Sequence, residues 1–131
     1  MTTYALLITS FLFGGMTLFS FTFAAFLFTA LPAEIASSVI RKAFPFFYVF
    51  VIVVAAVAAL TSFSSDATSA VILGLISITT VFARQVLMPM INAATDAGQT
   101  QRFNVLHITS VILTLFHIGF AAYTVIRLAN V

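Results

Sequence analysis

Residues 84–110 bring together several of the side chains in this sequence that could do chemistry. The stretch holds Arg84, Asp96 and Arg102, three of eight charged residues, and His107, one of two histidines. An aspartate can neutralise a nearby arginine, and a histidine can change its charge between about pH 5 and 8. The stretch therefore predicts a mouth that binds an anion or passes a proton. The alternative is a solvated loop that only fixes a helical hairpin.

Neutral polar side chains extend this predicted cluster. After Phe103 they recur every three or four residues, a spacing that places them on one face of a helix. Asp96 is predicted to neutralise Arg84 or Arg102. The candidate ligand-binding cluster is Arg84, Asn92, Asp96, Arg102, Asn104, His107, Ser110 and Thr114.

The two histidines, His107 and His117, are candidate ligands for haem or a metal ion. Ten residues of helix separate them by about 15 Å, so they cannot bind one metal ion from the same helix. Each could supply an axial ligand to a separate haem, or serve as a hydrogen-bonded structural residue. The sequence contains no HExxH, paired-carboxylate or glycine-rich phosphate motif, so hydrolase and nucleotide chemistry have no support. Whether the protein is an enzyme stays open, and a role without catalysis is favoured.

The composition indicates which kind of secondary structure positions these polar side chains. Hydrophobic residues make up 63% of the 131 residues and charged residues only 6%, against roughly a quarter charged in soluble proteins. Four apolar runs, at about 4–31, 44–63, 70–88 and 103–128, are long enough to cross a bilayer as helices. The sequence predicts an all-α, integral membrane four-helix bundle that forms a single transmembrane domain over residues 1–131.

The connection between the first two spans has a pattern of its own. Residues 33–42 carry charges at both ends and predict a short interfacial helix between spans 1 and 2. A dense aromatic run follows, and aromatic side chains often mark the headgroup boundary. The predicted interfacial anchors are Phe44, Pro45, Phe46, Phe47 and Tyr48.

The basic residues predict the orientation in the membrane. Only Arg127 lies near the side of the second connection, whereas the first and third connections are flanked by Arg41, Lys42, Arg84 and Arg102. Because cytoplasmic loops are enriched in basic residues, we expect both termini outside the cytoplasm, in a membrane of the bacterial inner membrane type. The sequence shows no convincing internal repeat.

The partners follow from the same composition. The chain has no basic run or basic face interleaved with aromatic residues, which argues against nucleic acid. The lipid bilayer is the predicted environment. Small and polar residues at helical spacing predict helix association, and the sixteen phenylalanines offer faces for further packing. We expect a homo-oligomer or a subunit of a membrane complex.

Several motifs together resemble the family of transmembrane protein 205 and its bacterial relatives. They are residues 27–32 (LFTALP), 42–48 (KAFPFFY), 83–84 (AR) followed by Pro89, and 107–110 (HITS). The resemblance covers most of the chain and implies a compact four-helix membrane domain, without an activity. The positions that match its motifs are Phe44, Pro45, Arg84, Pro89, His107 and Ser110.

Three functions remain open from the sequence. The first is transport or efflux of a small solute or ion through the polar cluster at the cytoplasmic end of spans 3 and 4. The second is an oxidoreductase-like membrane protein in which His107 or His117 binds haem or another cofactor. The third is a structural or assembly subunit of a larger membrane complex.

Overall fold

The computed structural model describes residues 2–131 as four long helices joined by short turns. They are α1 (Thr2–Ala30), α2 (Ala33–Ser62), α3 (Ala67–Asp96) and α4 (Thr100–Ala129). Each is apolar and long enough to cross a membrane. A helix of this length rises about 45 Å, more than the roughly 30 Å of a hydrocarbon core. The helix ends and the turns can therefore reach the headgroups.

Two of the helices are interrupted by π-helical turns. In α1, the α-helix Thr2–Thr17 is followed by the π-helical segment Leu18–Phe23 and then by α-helix Ala24–Ala30. In α3, the α-helix Ala67–Phe82 is followed by the π-helical segment Ala83–Leu87 and then by α-helix Met88–Asp96. In both cases 16 residues of α-helix precede the π-helical turn. Such turns insert an extra residue and frequently occur at functional sites.

The turn between α3 and α4 depends on a glycine. Gly98 has a positive φ of 67°, a conformation that glycine adopts without a Cβ clash. Its N–H bonds the Thr95 carbonyl at 3.2 Å, and the Gln99 N–H bonds the Ala94 carbonyl at 3.0 Å. This is the Schellman arrangement, which satisfies the last carbonyls of a helix. It reverses the chain within residues 97–99.

The buried residues of the four helices follow a common spacing. In α1 the first four buried residues are Ala5, Thr9, Leu12 and Met16, and buried residues of α3 lie 64 positions later at Ser69, Leu73, Ile76 and Thr80. Likewise, Val51, Ala55, Ala58 and Ser62 of α2 correspond to residues 66 positions later in α4: His117, Ala121, Thr124 and Leu128. Because short turns make neighbouring helices antiparallel, both hairpins run in the same direction. The same burial spacing is expected of any helix that presents one face to the interior of a bundle.

The fold class is confirmed as a helical bundle, with one correction. Residues 33–42, predicted as a separate interfacial helix, are the first turns of α2, which continues through Pro45 without a break. Proline is tolerated in membrane helices because neighbouring groups and small helix adjustments satisfy the freed backbone groups. The helical hairpin α3–α4 also has a shorter connection than the apolar runs suggested, because α3 continues to Asp96.

The bundle is packed unevenly along α4. Its buried residues are His117, Ala121, Thr124 and Leu128, and none of the residues 100–116 is buried. In this region α4 packs on the last part of α3, whereas its contact with α1 involves Thr2–Thr17. The first half of α4 is thus left open on the remaining sides.

Close packing between α1 and α2 gives a first prediction. A Cβ on Gly15 would lie 2.5 Å from the Phe50 ring, whereas a Cβ on Gly14 would meet nothing within 4 Å. We expect Gly15→Leu to lower the free energy of unfolding by about 1–3 kcal/mol through overpacking. Gly14→Leu is the matched control. Thermal unfolding in detergent, followed by circular dichroism, should separate the two variants, and equal stabilities would refute this packing.

Candidate functional site

The charged residues gather at the two ends of the bundle. We call the end with the turns at 31–32 and 97–99 the hairpin end, and the end with the turn at 63–66 the terminal end. Asp66 and Arg127 lie at the terminal end. The hairpin end carries Glu34, Arg41, Lys42, Asp96 and Arg102. Arg84 alone lies well inside a helix, twelve residues before the end of α3.

An ion pair at the hairpin end joins α2 to α3. Arg41 donates through NH1 to Asp96 Oδ1 at 2.7 Å and through NH2 to Oδ2 at 2.9 Å. Asp96 was expected to neutralise Arg84 or Arg102, and the structure corrects that expectation. The first turns of α2 lie beside the last turn of α3, so Arg41 reaches the carboxylate with both of its terminal nitrogens. Both side chains are exposed.

The partners of Arg84 among residues 2–131 are neutral. It lies in the π-helical segment of α3, where it is half-buried. Its Nε donates to the Pro45 carbonyl of α2 at 3.3 Å, and its NH1 donates to Gln85 Oε1 at 3.0 Å. Within residues 2–131, no carboxylate lies within salt-bridge distance of this guanidinium. Since a guanidinium has five N–H donors, three of them remain available for a ligand.

Lys42 extends this arrangement on α2. It precedes Pro45 by three residues and so lies on nearly the same helix face. Its side chain is exposed and takes part in neither ion pair of the described residues. We name the surface formed by Lys42, Pro45, Arg84 and Gln85 the basic groove. It lies between α2 and α3, toward the hairpin end.

The rest of the predicted cluster lies on other surfaces. His107 is exposed, and its ring stacks on Phe103 at 5.4 Å between centroids. Ser110 donates to the His107 carbonyl at 2.8 Å, inside its own helix. Asn92 and Thr114 are half-buried, and Arg102 and Asn104 are exposed. No hydrogen bond in the described part of the chain joins any of these residues to Arg84. The predicted residues thus do not form one site.

His117 is held between two adjacent threonines. Its Nε2 lies 2.7 Å from Thr79 Oγ1, and its Nδ1 lies 3.5 Å from Thr80 Oγ1. The two hydroxyls donate to the carbonyls of Leu75 and Ile76, each at 2.7 Å. Thr79 therefore offers a lone pair, which favours the imidazole tautomer that carries its proton on Nε2. Neither threonine was predicted from the sequence as a partner of His117, although Thr80 lies one turn from Arg84.

Among residues 2–131, the surroundings of the two histidines do not add support for haem binding. His117 has both ring nitrogens beside hydroxyls, and His107 lies on the outside of α4. A group of three or more histidine, cysteine or acidic residues that could hold a metal ion does not occur among the residues that the structure describes. Haem ligation by either histidine stays a prediction.

The terminal end has the more shielded ion pair. Arg127 donates through Nε to Asp66 Oδ2 at 2.8 Å and through NH2 to Oδ1 at 3.0 Å. Ser69 donates to the same Oδ2 at 2.6 Å. The hydrogen bonds from Arg127, which have the largest effect, and the hydrogen bond from Ser69 hold the pKa of Asp66 well below its ordinary value of 3.8. The turn before α3 is thus tied to the last turn of α4.

The aromatic run of α2 mostly faces the bundle. Phe47 and Tyr48 are buried, and Phe47 stacks on Phe19 of α1 with 4.2 Å between ring centroids. Phe44 and Pro45 are half-buried. Only Phe46 lies largely in the open, with 79% of its surface exposed. A role as interfacial anchor therefore stays a prediction that fits Phe46 best.

Comparison with known proteins identifies the family. A family model described as a domain of unknown function, DUF4149, matches residues 7–100. The chain belongs to this family. No curated protein and no solved structure matches the chain significantly. The match to DUF4149 includes Lys42, Pro45, Arg84 and the Arg41–Asp96 ion pair, and it ends at the first residue of α4. The finer resemblance to transmembrane protein 205 stays a prediction.

The two histidines of α4 provide an internally matched test. His117→Ala removes a hydrogen bond between membrane helices, which is worth about 0.5–2 kcal/mol, and also leaves a packing defect. His107→Ala removes a ring from the surface, so its effect should stay within about 0.5 kcal/mol. Unfolding measured in the same detergent should therefore rank His117→Ala as the less stable variant. The reverse order would show that the histidine between the threonines does not support the fold.

The shielded ion pair predicts a pH dependence of stability. A carboxyl with a depressed pKa in the folded state stabilises fully above its ordinary pKa of 3.8 and loses this contribution as the pH falls below it. We expect Asp66→Asn to lower the unfolding temperature at neutral pH, and the difference from the unsubstituted protein to shrink below the ordinary pKa. Asp96→Asn, in the exposed pair, is the control and should have the smaller effect. A difference independent of pH would contradict the assignment.

Proposed function

We propose that this protein binds an anion at Arg84 and takes part in the transport or efflux of a small anionic solute. A single observation carries the proposal. A half-buried arginine inside a membrane helix has a carbonyl and an amide as partners, and no acid within ion-pair distance among residues 2–131. Moving an arginine into a bilayer costs at least about 2.5 kcal/mol, so an intramembrane arginine marks a functional site.

The pairing of Asp96 supports an anion over a proton. An acid and a base within one mouth would suit a proton relay, but Asp96 is held by Arg41 through two hydrogen bonds. The charge on Arg84 is therefore not compensated by Asp96, which was predicted from the sequence to neutralise Arg84 or Arg102. An incoming anion supplies the missing charge and accepts the remaining N–H donors.

The distribution of charge supports the proposed orientation. The hairpin end carries Arg41, Lys42 and Arg102 against Glu34 and Asp96, and Arg84 lies nearest to this end. At the terminal end, Asp66 and Arg127 cancel each other. By the positive-inside rule, the hairpin end faces the cytoplasm, and the protein captures its anion from that side of a bacterial inner membrane.

Self-association supplies the transport path in this proposal. Side chains fill the interior of one copy, where Leu12, Val51 and Leu73 are at most 1% exposed. Residues 105–116 of α4, none of which is buried, offer a face for a second copy. A path between copies does not require the core of a single bundle to open. The cofactor and assembly-subunit hypotheses have no comparable observation in their favour.

Anion flux measured in liposomes tests the proposal. We expect the purified protein to carry a small anion, and Arg84→Ala to lower the flux by about ten-fold or more, because a hydrogen-bonded charge contact is lost. Arg84→Lys keeps the charge but loses the forked geometry, so it should be intermediate. The readout is release of a trapped anion series that includes chloride, phosphate and benzoate.

Arg102→Ala is the matched control for this experiment. Arg102 is an exposed arginine at the same end of the bundle and belongs to neither ion pair of the described residues. Its replacement should leave the flux within about two-fold of the original, since surface charges contribute little. Absence of flux for every anion in the series would refute the transport proposal.

A further inference from the structure

The basic groove is open on its lipid-facing side. Arg84 contacts the Pro45 carbonyl, and Lys42 lies about one helical turn nearer the hairpin end than Pro45 on α2. Arg84 is only half-buried although it contacts the backbone of the neighbouring helix. Part of the guanidinium therefore faces outward from the bundle. A ligand can reach it along the membrane without entering the core.

An apolar strip continues from the charged groups. On α2, Val49 lies four residues beyond Pro45 and is 42% exposed, and Val53 follows at 54%. On α3, Val81 lies three residues before Arg84 and is 43% exposed, and Ile78 follows at 67%. These spacings keep the four residues on the faces that border the groove. The groove thus combines two basic groups at one end with a branched aliphatic surface below them.

We infer that the basic groove binds an anionic phospholipid, with its phosphate at Arg84 and Lys42 and its acyl chains along the apolar strip. The inference rests on the anion site of the proposed function and names the occupant of that site. It makes the substrate class an amphiphilic phosphate that enters from the bilayer.

The hydrogen-bond geometry favours a phosphate group. The Nη2 of Arg84 and one hydrogen of its Nη1 have no partner in the described part of the chain, and a guanidinium bonds phosphate oxygens through two parallel N–H donors. Lys42 adds a point charge at the rim. Basic pockets between membrane helices on the cytoplasmic side bind anionic headgroups for this reason.

Native mass spectrometry of the detergent-purified protein tests the inference. The probes are dioleoyl phosphatidylglycerol and dioleoyl phosphatidylcholine, which share the same acyl chains. We expect preferential retention of phosphatidylglycerol, and an about five-fold or greater loss of that retention in Arg84→Ala, as expected for one basic residue near a headgroup. Arg84→Lys should be intermediate, and Arg102→Ala should be unchanged. Lys42→Ala, on an exposed residue, gives a second variant in case Arg84→Ala fails to fold.

Three outcomes would overturn the inference. They are equal retention of the two lipids, undiminished phosphatidylglycerol retention in folded Arg84→Ala and Lys42→Ala, and displacement of the lipid by millimolar inorganic phosphate. The last would make the groove a site for soluble anions. Anion flux in pure phosphatidylcholine liposomes, without selective lipid binding, would leave the proposed function standing alone. Lipid binding that depends on Arg84, without flux of any anion, would leave only the inference standing.

Discussion

Hydrocarbon offers no hydrogen-bond partners, so every backbone group that crosses the bilayer must be satisfied inside the protein. This constraint explains the four long helices and the confinement of turns to their ends. It also explains where most hydroxyls go. Thr17, Thr61, Thr80 and Thr124 donate to carbonyls one turn back in their own helices. Polar contacts between helices are correspondingly few, and those of Ser77 with the Ile52 carbonyl and of Thr79 with His117 connect the interior of the bundle.

The sequence was sufficient for the class of the fold because span length and apolar content follow directly from bilayer thickness. It was insufficient for the segment before Pro45, since a proline normally ends a helix and only the neighbouring helices show that it does not do so here.

The candidate site, like the fold, could be predicted from the sequence only in part. Arg84 could be identified because a charge within an apolar run is costly. Its partner could not, because a backbone carbonyl has no signature in the sequence, and the partner of Asp96 depends on which helix ends meet. The aromatic run of α2 shows the same limit. Phenylalanine suits both the headgroup boundary and a packed interior. Only the contact between Phe19 and Phe47 shows that Phe47 lies in the packed interior.

The π-helical segment of α3 affects more than Arg84. An α-helix turns by about 100° for each residue, so one additional residue shifts the phase of everything that follows. Before the segment, Leu73, Ile76 and Thr80 face the core, and after it Asp96 meets Arg41. A regular helix would carry the residues after the segment round to a different direction. The inserted residue therefore decides which side chains of the last part of α3 face its neighbours, and among them Asp96 meets Arg41 of α2.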